Sequence, residues 1–180
     1  LQTFVVTGSN IPTAADAMAA PVTIISRDEI ERTGLASNLL EVVQARLPSF
    51  AGSGNLGATN GNVSGGSATS GGSQLSLRNL STLVLLDGRR LPDSGASARG
   101  GRAFVDVNQI PLAALQTIEV LTDGASAIYG SDAVAGVINV ITKKNYQGLE
   151  VRGSNDSSSR VSSYGERQGS ILFGKGDLGN

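Results

Sequence analysis

Residues Thr117 to Thr142, TIEVLTDGASAIYGSDAVAGVINVIT, leave a chain little choice of local structure. Thr117 to Thr122 is rich in β-branched residues, with Ile118, Val120 and Thr122 on one face and Thr117, Glu119 and Leu121 on the other, so it predicts a strand. Asp123-Gly124 breaks that strand. Ala125 to Tyr129 is small and helix-tolerant, Gly130 is a natural stop, and Ser131-Asp132 can cap the next turn. Gly136 to Thr142 alternates Val137, Asn139 and Ile141 against Ile138, Val140 and Thr142. Both sets are mostly apolar, which predicts a strand covered on both sides and placed at the centre of the core.

The rest of the chain supplies partners for it. Pro21 to Ser26 reads as a core strand, and Ser26-x-x-Glu29 is a capping box that predicts a short helix from Arg27 to about Thr33, stopped at Gly34. A second helix should start at Ser37 or Asn38, bury Leu40, Val43 and Leu47, and end at Pro48. Gln74 to Arg78 and Thr82 to Asp87 read as two further strands. In the second, Leu83 to Leu86 is a continuous apolar run suited to a central position. Asp87-Gly88 turns the chain, and Pro111 sits in the first turn of a short helix reaching Leu115.

With 24 glycines and few aromatics, the chain predicts many tight turns and long loops. Residues 51–73 are dominated by Gly, Ser, Asn, Ala and Thr, and such a stretch inside a compact domain is either a tolerated insertion or functional. Arg89, Arg90, Arg99 and Arg102 lie close together. They can form an anionic ligand site; alternatively Arg78, Arg89 and Arg90 pair with acids such as Glu119 or with carboxylates outside this segment. From Tyr146 onward the character changes. Gln147 to Gly153 and Gly169 to Lys175 alternate apolar and polar residues around a polar stretch, as a hairpin does.

Several function classes drop out on composition. A net charge of −1 with no basic stripe argues against nucleic acid. The absence of Cys and His removes thiol catalysis, disulfides, a Ser-His-Asp triad and the common zinc sites. Gly124, Gly130 and Gly136 fit neither dinucleotide nor phosphate-loop spacing. Ser126 and Ser131 lack nucleophile-elbow context, and Asp106, Asp123 and Asp132 read as turn and cap residues. No enzyme, cofactor or metal is expected. No apolar run is long enough for a transmembrane helix. No signal peptide precedes Leu1, so the sequence reads as a mature or trimmed form.

The block EVLTDGASAIYGSDAVAGVINVIT, with PVTIISRDEI, LPSF and LVLLDGRR in the same order, resembles the plug domain of TonB-dependent outer-membrane receptors over roughly residues 3 to 147. One departure is Arg78-Asn79, where the family commonly has Arg-Gly; Asn tolerates positive φ, so the bend can survive. The resemblance implies an α+β fold, a small mixed sheet with short helices, followed by the first strands of a β-barrel. It divides the chain into an N-terminal segment (1–13), a plug (14–146) and a barrel start (147–180). A barrel of about 22 strands at ~10 residues each needs hundreds more residues than these.

The resemblance also implies roles. Thr3, Phe4, Val5, Val6 and Thr7 match the TonB box, apart from its leading acid, replaced here by Gln2; read from the residues alone, the same pentapeptide is an edge strand of the domain. The Gly/Ser/Asn stretch would face the extracellular side and touch a transported solute through Asn55, Asn60, Asn62, Ser64, Ser67 and Ser70, with Arg99 from the second loop. Arg78, Arg89, Arg90 and Glu119 would meet the barrel wall. The implied partners are TonB in the periplasm, a small-molecule or oligomeric solute and the protein's own barrel, in the outer membrane of a Gram-negative bacterium. The alternative is a barrel-less periplasmic binding or signalling module that reuses the same fold.

Overall fold

A computed structural model describes residues 4–5, 13–14, 22–33, 39–50, 72–78, 80, 82–94, 104–122, 126–157 and 165–175. In chain order its elements are β1 (Phe4–Val5), β2 (Thr13–Ala14), β3 (Val22–Ser26), α1 (Arg27–Arg32), α2 (Leu39–Arg46), β4 (Thr82–Leu86) and β5 (Arg89–Arg90). β6 (Leu115–Leu121), α3 (Ser126–Tyr129), β7 (Gly136–Thr142), β8 (Gly148–Ser157) and β9 (Gly165–Gly174) follow, with short 3-10 turns at Pro48–Phe50, Val107–Gln109, Leu112–Ala114 and Ser131–Ala133. The result is a mixed α+β fold.

The centre is a five-stranded sheet in the order β3-β6-β7-β4-β5. All of its pairs are antiparallel except β4 with β7. β7 lies in the middle and is buried from Gly136 to Val140, as its two apolar sets predict. Alternation along the strands sends Val84, Ile118, Val120, Ile138 and Val140 to one face. There they pack with Ile30, the α2 residues Leu39, Leu40, Val42 and Val43, and Phe50, Leu75, Leu77, Val107 and Ile110. The other face carries a smaller cluster of Leu83, Leu85, Leu121 and Val137 under Ala133, with Val22 and Tyr129 at its margin.

Local chemistry fixes the ends of these elements. The backbone N–H of Ser26 donates to Glu29 Oε2 at 2.9 Å, the capping-box contact that starts α1. Asp87 and Gly88 both have positive φ, 50° and 78°, as a two-residue hairpin turn between β4 and β5 requires. The turn is tied down from β7: Asp87 accepts from the N–H and hydroxyl of Thr142 at 2.9 and 2.7 Å, and Asn139 Oδ1 accepts from the Gly88 N–H at 3.0 Å. Gly136 begins β7 at φ 148°, and a Cβ there would lie 2.2 Å from the Leu121 carbonyl oxygen. Only glycine lets β6 and β7 approach at that point.

Four expectations need correcting. Gln74 to Arg78 is not a strand: both edges of β4 are taken, by β7 and β5, and the segment has only an isolated bridge from Leu77 to Leu80. Its backbone bonds go elsewhere, from Arg78 N–H to Ser49 O and from Leu77 N–H to Thr82 Oγ1, while Leu75 and Leu77 fill the core. Pro111 precedes a single 3-10 turn, and Leu115 already belongs to β6, paired with Thr142 across a bulge. The buried face of α2 is wider than predicted, with Leu39 and Val42 added and Leu47 only partly buried. β8 and β9 are longer than their apolar stretches, because ladder pairing continues through their polar ends.

Candidate functional site

α1, the exit of β7 and the first half of β8 converge at one side of the sheet, and their charged side chains meet there. Arg27, the first residue of α1, donates to Glu31 Oε1 at 2.7 Å, one helical turn away. It also donates to the carbonyls of Leu112 and Leu115 at 2.8 and 3.2 Å, and to Glu150 Oε1 at 3.4 Å. Lys143 Nζ donates to Glu150 Oε2 at 3.1 Å and sits 4.9 Å above the Tyr146 ring. Arg152 closes the circuit, donating to Glu31 at 2.6 Å and to Glu150.

Burial separates the members of this cluster. The side chains of Arg27 and Lys143 are 13% exposed and that of Glu150 is 20% exposed, whereas Glu31 and Arg152 are 41% and 47% exposed. The inner three sit where removing one partner leaves a poorly solvated charge, while the outer pair is worth little by itself. The hydrogen bond from Arg152, then that from Arg27, holds the Glu31 carboxyl below its ordinary value. Glu29 is lowered as well, first by the Ser26 backbone N–H.

None of these five residues was singled out from the sequence. The available signal was Glu150 and Arg152 alternating with Leu149 and Val151, which puts both charges on one face of β8 and both apolar residues on the other.

The predicted site residues are placed as follows. Phe4 and Val5 form β1, which pairs antiparallel with β2 in a sheet of its own and not with the five-stranded sheet. Thr3, Val6 and Thr7 lie outside the described residues, as do Asn55, Asn60, Asn62, Ser64, Ser67, Ser70 and Arg99. Arg89 and Arg90 make up β5, exposed at the sheet edge. Arg90 Nη1 donates to Asp132 Oδ2 at 2.6 Å, and its other terminal nitrogen to the Tyr129 carbonyl, so it engages an acid of its own domain. Arg78 is exposed and has a positive φ, 53°; Asn79, for which positive φ was expected, lies outside the described residues. Glu119 is 2% exposed, between Ile24 and Asn139 in the ladder, and so is an interior residue of this domain. Asp106 is the cap predicted for it, accepting from Asn108 and Ser73 N–H groups at 3.1 and 2.9 Å.

A cleft of about 380 Å³ lies beside the β4–β5 turn, walled by Leu86, Leu91, Val105, Ile110 and Pro111. Among the described residues no group of three or more His, Cys, Asp or Glu is arranged to hold a metal ion, and no helix is long and apolar enough to cross a membrane. The second statement says nothing of a β-barrel.

The model of the TonB-dependent receptor plug domain matches residues 14–137. The chain belongs to that family. Among solved structures, the plug is similar to a mutant ferric enterobactin receptor (PfeA) of Pseudomonas aeruginosa in complex with enterobactin. That match has 27% identity and a TM-score of 0.54, and covers 75% of this chain and 20% of the receptor. It is similar also to the siderophore receptor PirA of Acinetobacter baumannii, at 30% identity and a TM-score of 0.48, covering 74% of this chain and 18% of the receptor. The chain spans about a fifth of the length of the receptors it matches.

Proposed function

We propose that this plug closes the lumen of an outer-membrane active transporter, with β8–β9 as the first two strands of the surrounding barrel and the plug ending near Tyr146. The observation that carries the reading is the two-sidedness of the hairpin. Leu149 pairs with Phe173 and Val151 with Ile171, and these four side chains are 64%, 69%, 67% and 75% exposed on one face. On the other face Glu150 and Arg152 are bonded to α1 and Lys143. A barrel wall around a plug needs this polarity, apolar toward lipid and polar toward the lumen. A barrel-less module would have no use for such an exposed apolar face.

In this reading residues 51–73 and the loop holding Arg99 serve the solute side, and Arg78 and Arg89 face the barrel wall. Residues 3–7 present a strand to TonB in the periplasm, which adds to it edge to edge. Among the described residues β1 pairs with β2 and not with the five-stranded sheet, which supports this reading. The neighbour bound to enterobactin makes a ferric siderophore the first solute to test, and mass spectrometry of solute co-purified with the receptor identifies it.

The TonB assignment has a direct test. Proline deletes a backbone donor and fixes φ, so Val6→Pro should abolish energised uptake while leaving solute binding and melting temperature unchanged. Lowered melting with normal residual uptake would instead mark residues 3–7 as a structural strand.

A further inference from the structure

We propose that Arg27, Glu31, Lys143, Glu150 and Arg152 form an ionic clasp that anchors the plug to the first barrel hairpin and stays closed during uptake, confining plug movement to parts away from α1. The inference rests on β8–β9 being barrel strands.

The clasp joins residues remote in sequence. Arg27 bonds Glu150 across 123 positions, and Glu31 bonds Arg152 across 121. Arg27 is its keystone, because one guanidinium holds the helix through Glu31, the entry to β6 through two carbonyls, and the hairpin through Glu150. A planar, multiply donating group suits that task in a way that Lys cannot match. Glu150 is the matching acceptor, meeting Arg27, Lys143 and Arg152 on its two oxygens.

The two edges of the sheet differ in the ion pairs they carry. β3, which runs into α1, is one edge of the five-stranded sheet and β5 is the other. At the β5 edge the ion pair found among the described residues is Arg90–Asp132, whose side chains are 51% and 62% exposed. An exposed single pair holds weakly, whereas a half-buried network resists opening. The network therefore resists opening at the β3–α1 edge of the plug.

The charge count makes the clasp asymmetric. Arg27, Lys143 and Arg152 face Glu31 and Glu150, leaving the cations in excess. Removing a carboxylate sets cations against one another, while removing Arg152 leaves both carboxylates partnered. Glu150→Gln should therefore loosen the seam more than Arg152→Gln.

Two measurements on the full-length receptor test this. Hydrogen exchange should accelerate by about tenfold in α1 and in Gly148 to Gly153 together for Glu150→Gln, and by less for Arg152→Gln. Faster exchange confined to the hairpin, or the reverse ranking, overturns the clasp. Residues 1–180 contain no cysteine, so Glu31→Cys with Arg152→Cys places a thiol on each side of the seam for a short bismaleimide. Energised uptake by the crosslinked receptor should stay within about twofold of the uncrosslinked double variant. Loss of uptake with solute binding retained would show that the seam must open, and would overturn the anchor. If the unmodified receptor takes up no solute, the transporter reading fails; the exchange measurement still decides whether the clasp exists.

Discussion

β7 and β8 each have an antiparallel neighbour, and they differ in what covers them. β7 has neighbours on both edges and side chains buried on both faces from Gly136 to Val140. Among the described residues β8 has one neighbour, β9, and turns Leu149 and Val151 out to the surroundings. Pairing alone does not stabilise a sheet in water; burial does, and a lone two-stranded ribbon is marginal. The centre of the sheet is therefore covered by this chain's own residues. The hairpin keeps an apolar face of Leu149, Val151, Ile171 and Phe173 exposed.

The contrast breaks most sharply at its strong end. Gly136→Ala should cost about 4 kcal/mol or more, since the new Cβ meets the Leu121 carbonyl and the backbone φ suits only glycine. Ile138→Ala should cost about 2–5 kcal/mol through the cavity it leaves. Denaturant titration of both variants checks this, and a cost below about 1 kcal/mol for either would mean that the centre of the core lies elsewhere.

Next in size is the difference in protection between the two regions. In the chain without a barrel, amides of Val137 to Ile141 should exchange slowly and those of Gln147 to Lys175 fast. Equal protection would remove the boundary at Tyr146.

A smaller effect comes from acid. Glu29 and Glu31 are held below their ordinary value of 4.5, so the stability they add is complete above that value and is lost as pH falls through their folded-state values. Protection of α1 should stay flat from neutral pH to about pH 5 and decline below it, while β7 is unaffected over the same range. A decline that begins near pH 7 would implicate other groups.

The smallest effects belong to a stretch whose composition offers little apolar surface and to a side chain that is already exposed. Replacing residues 53–72 with a short Gly-Ser linker should leave stability within about 2 kcal/mol while weakening solute binding in the receptor. Ile171→Ala should change stability in water by less than about 0.5 kcal/mol, because the side chain is already 75% exposed.

What the sequence disclosed follows the same division. The capping box at Ser26 and Glu29, the Asp87-Gly88 turn and both faces of β7 were legible because each depends on neighbours in the chain or on strict alternation. Gln74 to Arg78 misled because alternation reports which residues are buried, and Leu75 and Leu77 are, but not whether a strand edge is free to receive them. The charged seam was illegible for a different reason. Arg27 and Glu150 are unremarkable one at a time, and only the fold brings them together. Arg90 was expected to pair with an acid or to meet a barrel wall, and the acid it meets, Asp132, is placed by the turn after α3.

The strand order also governs when the sheet can form. β3 finds its ladder partner in β6, roughly 100 residues later in the chain, and β4 waits for β7. Until the Thr117 to Thr142 stretch has been delivered, β3, α1 and α2 have an apolar face and no sheet to cover it. Assembly dominated by such distant pairings is slow and leaves sticky intermediates exposed. The apolar face of this chain thus stays open until its own central strand arrives.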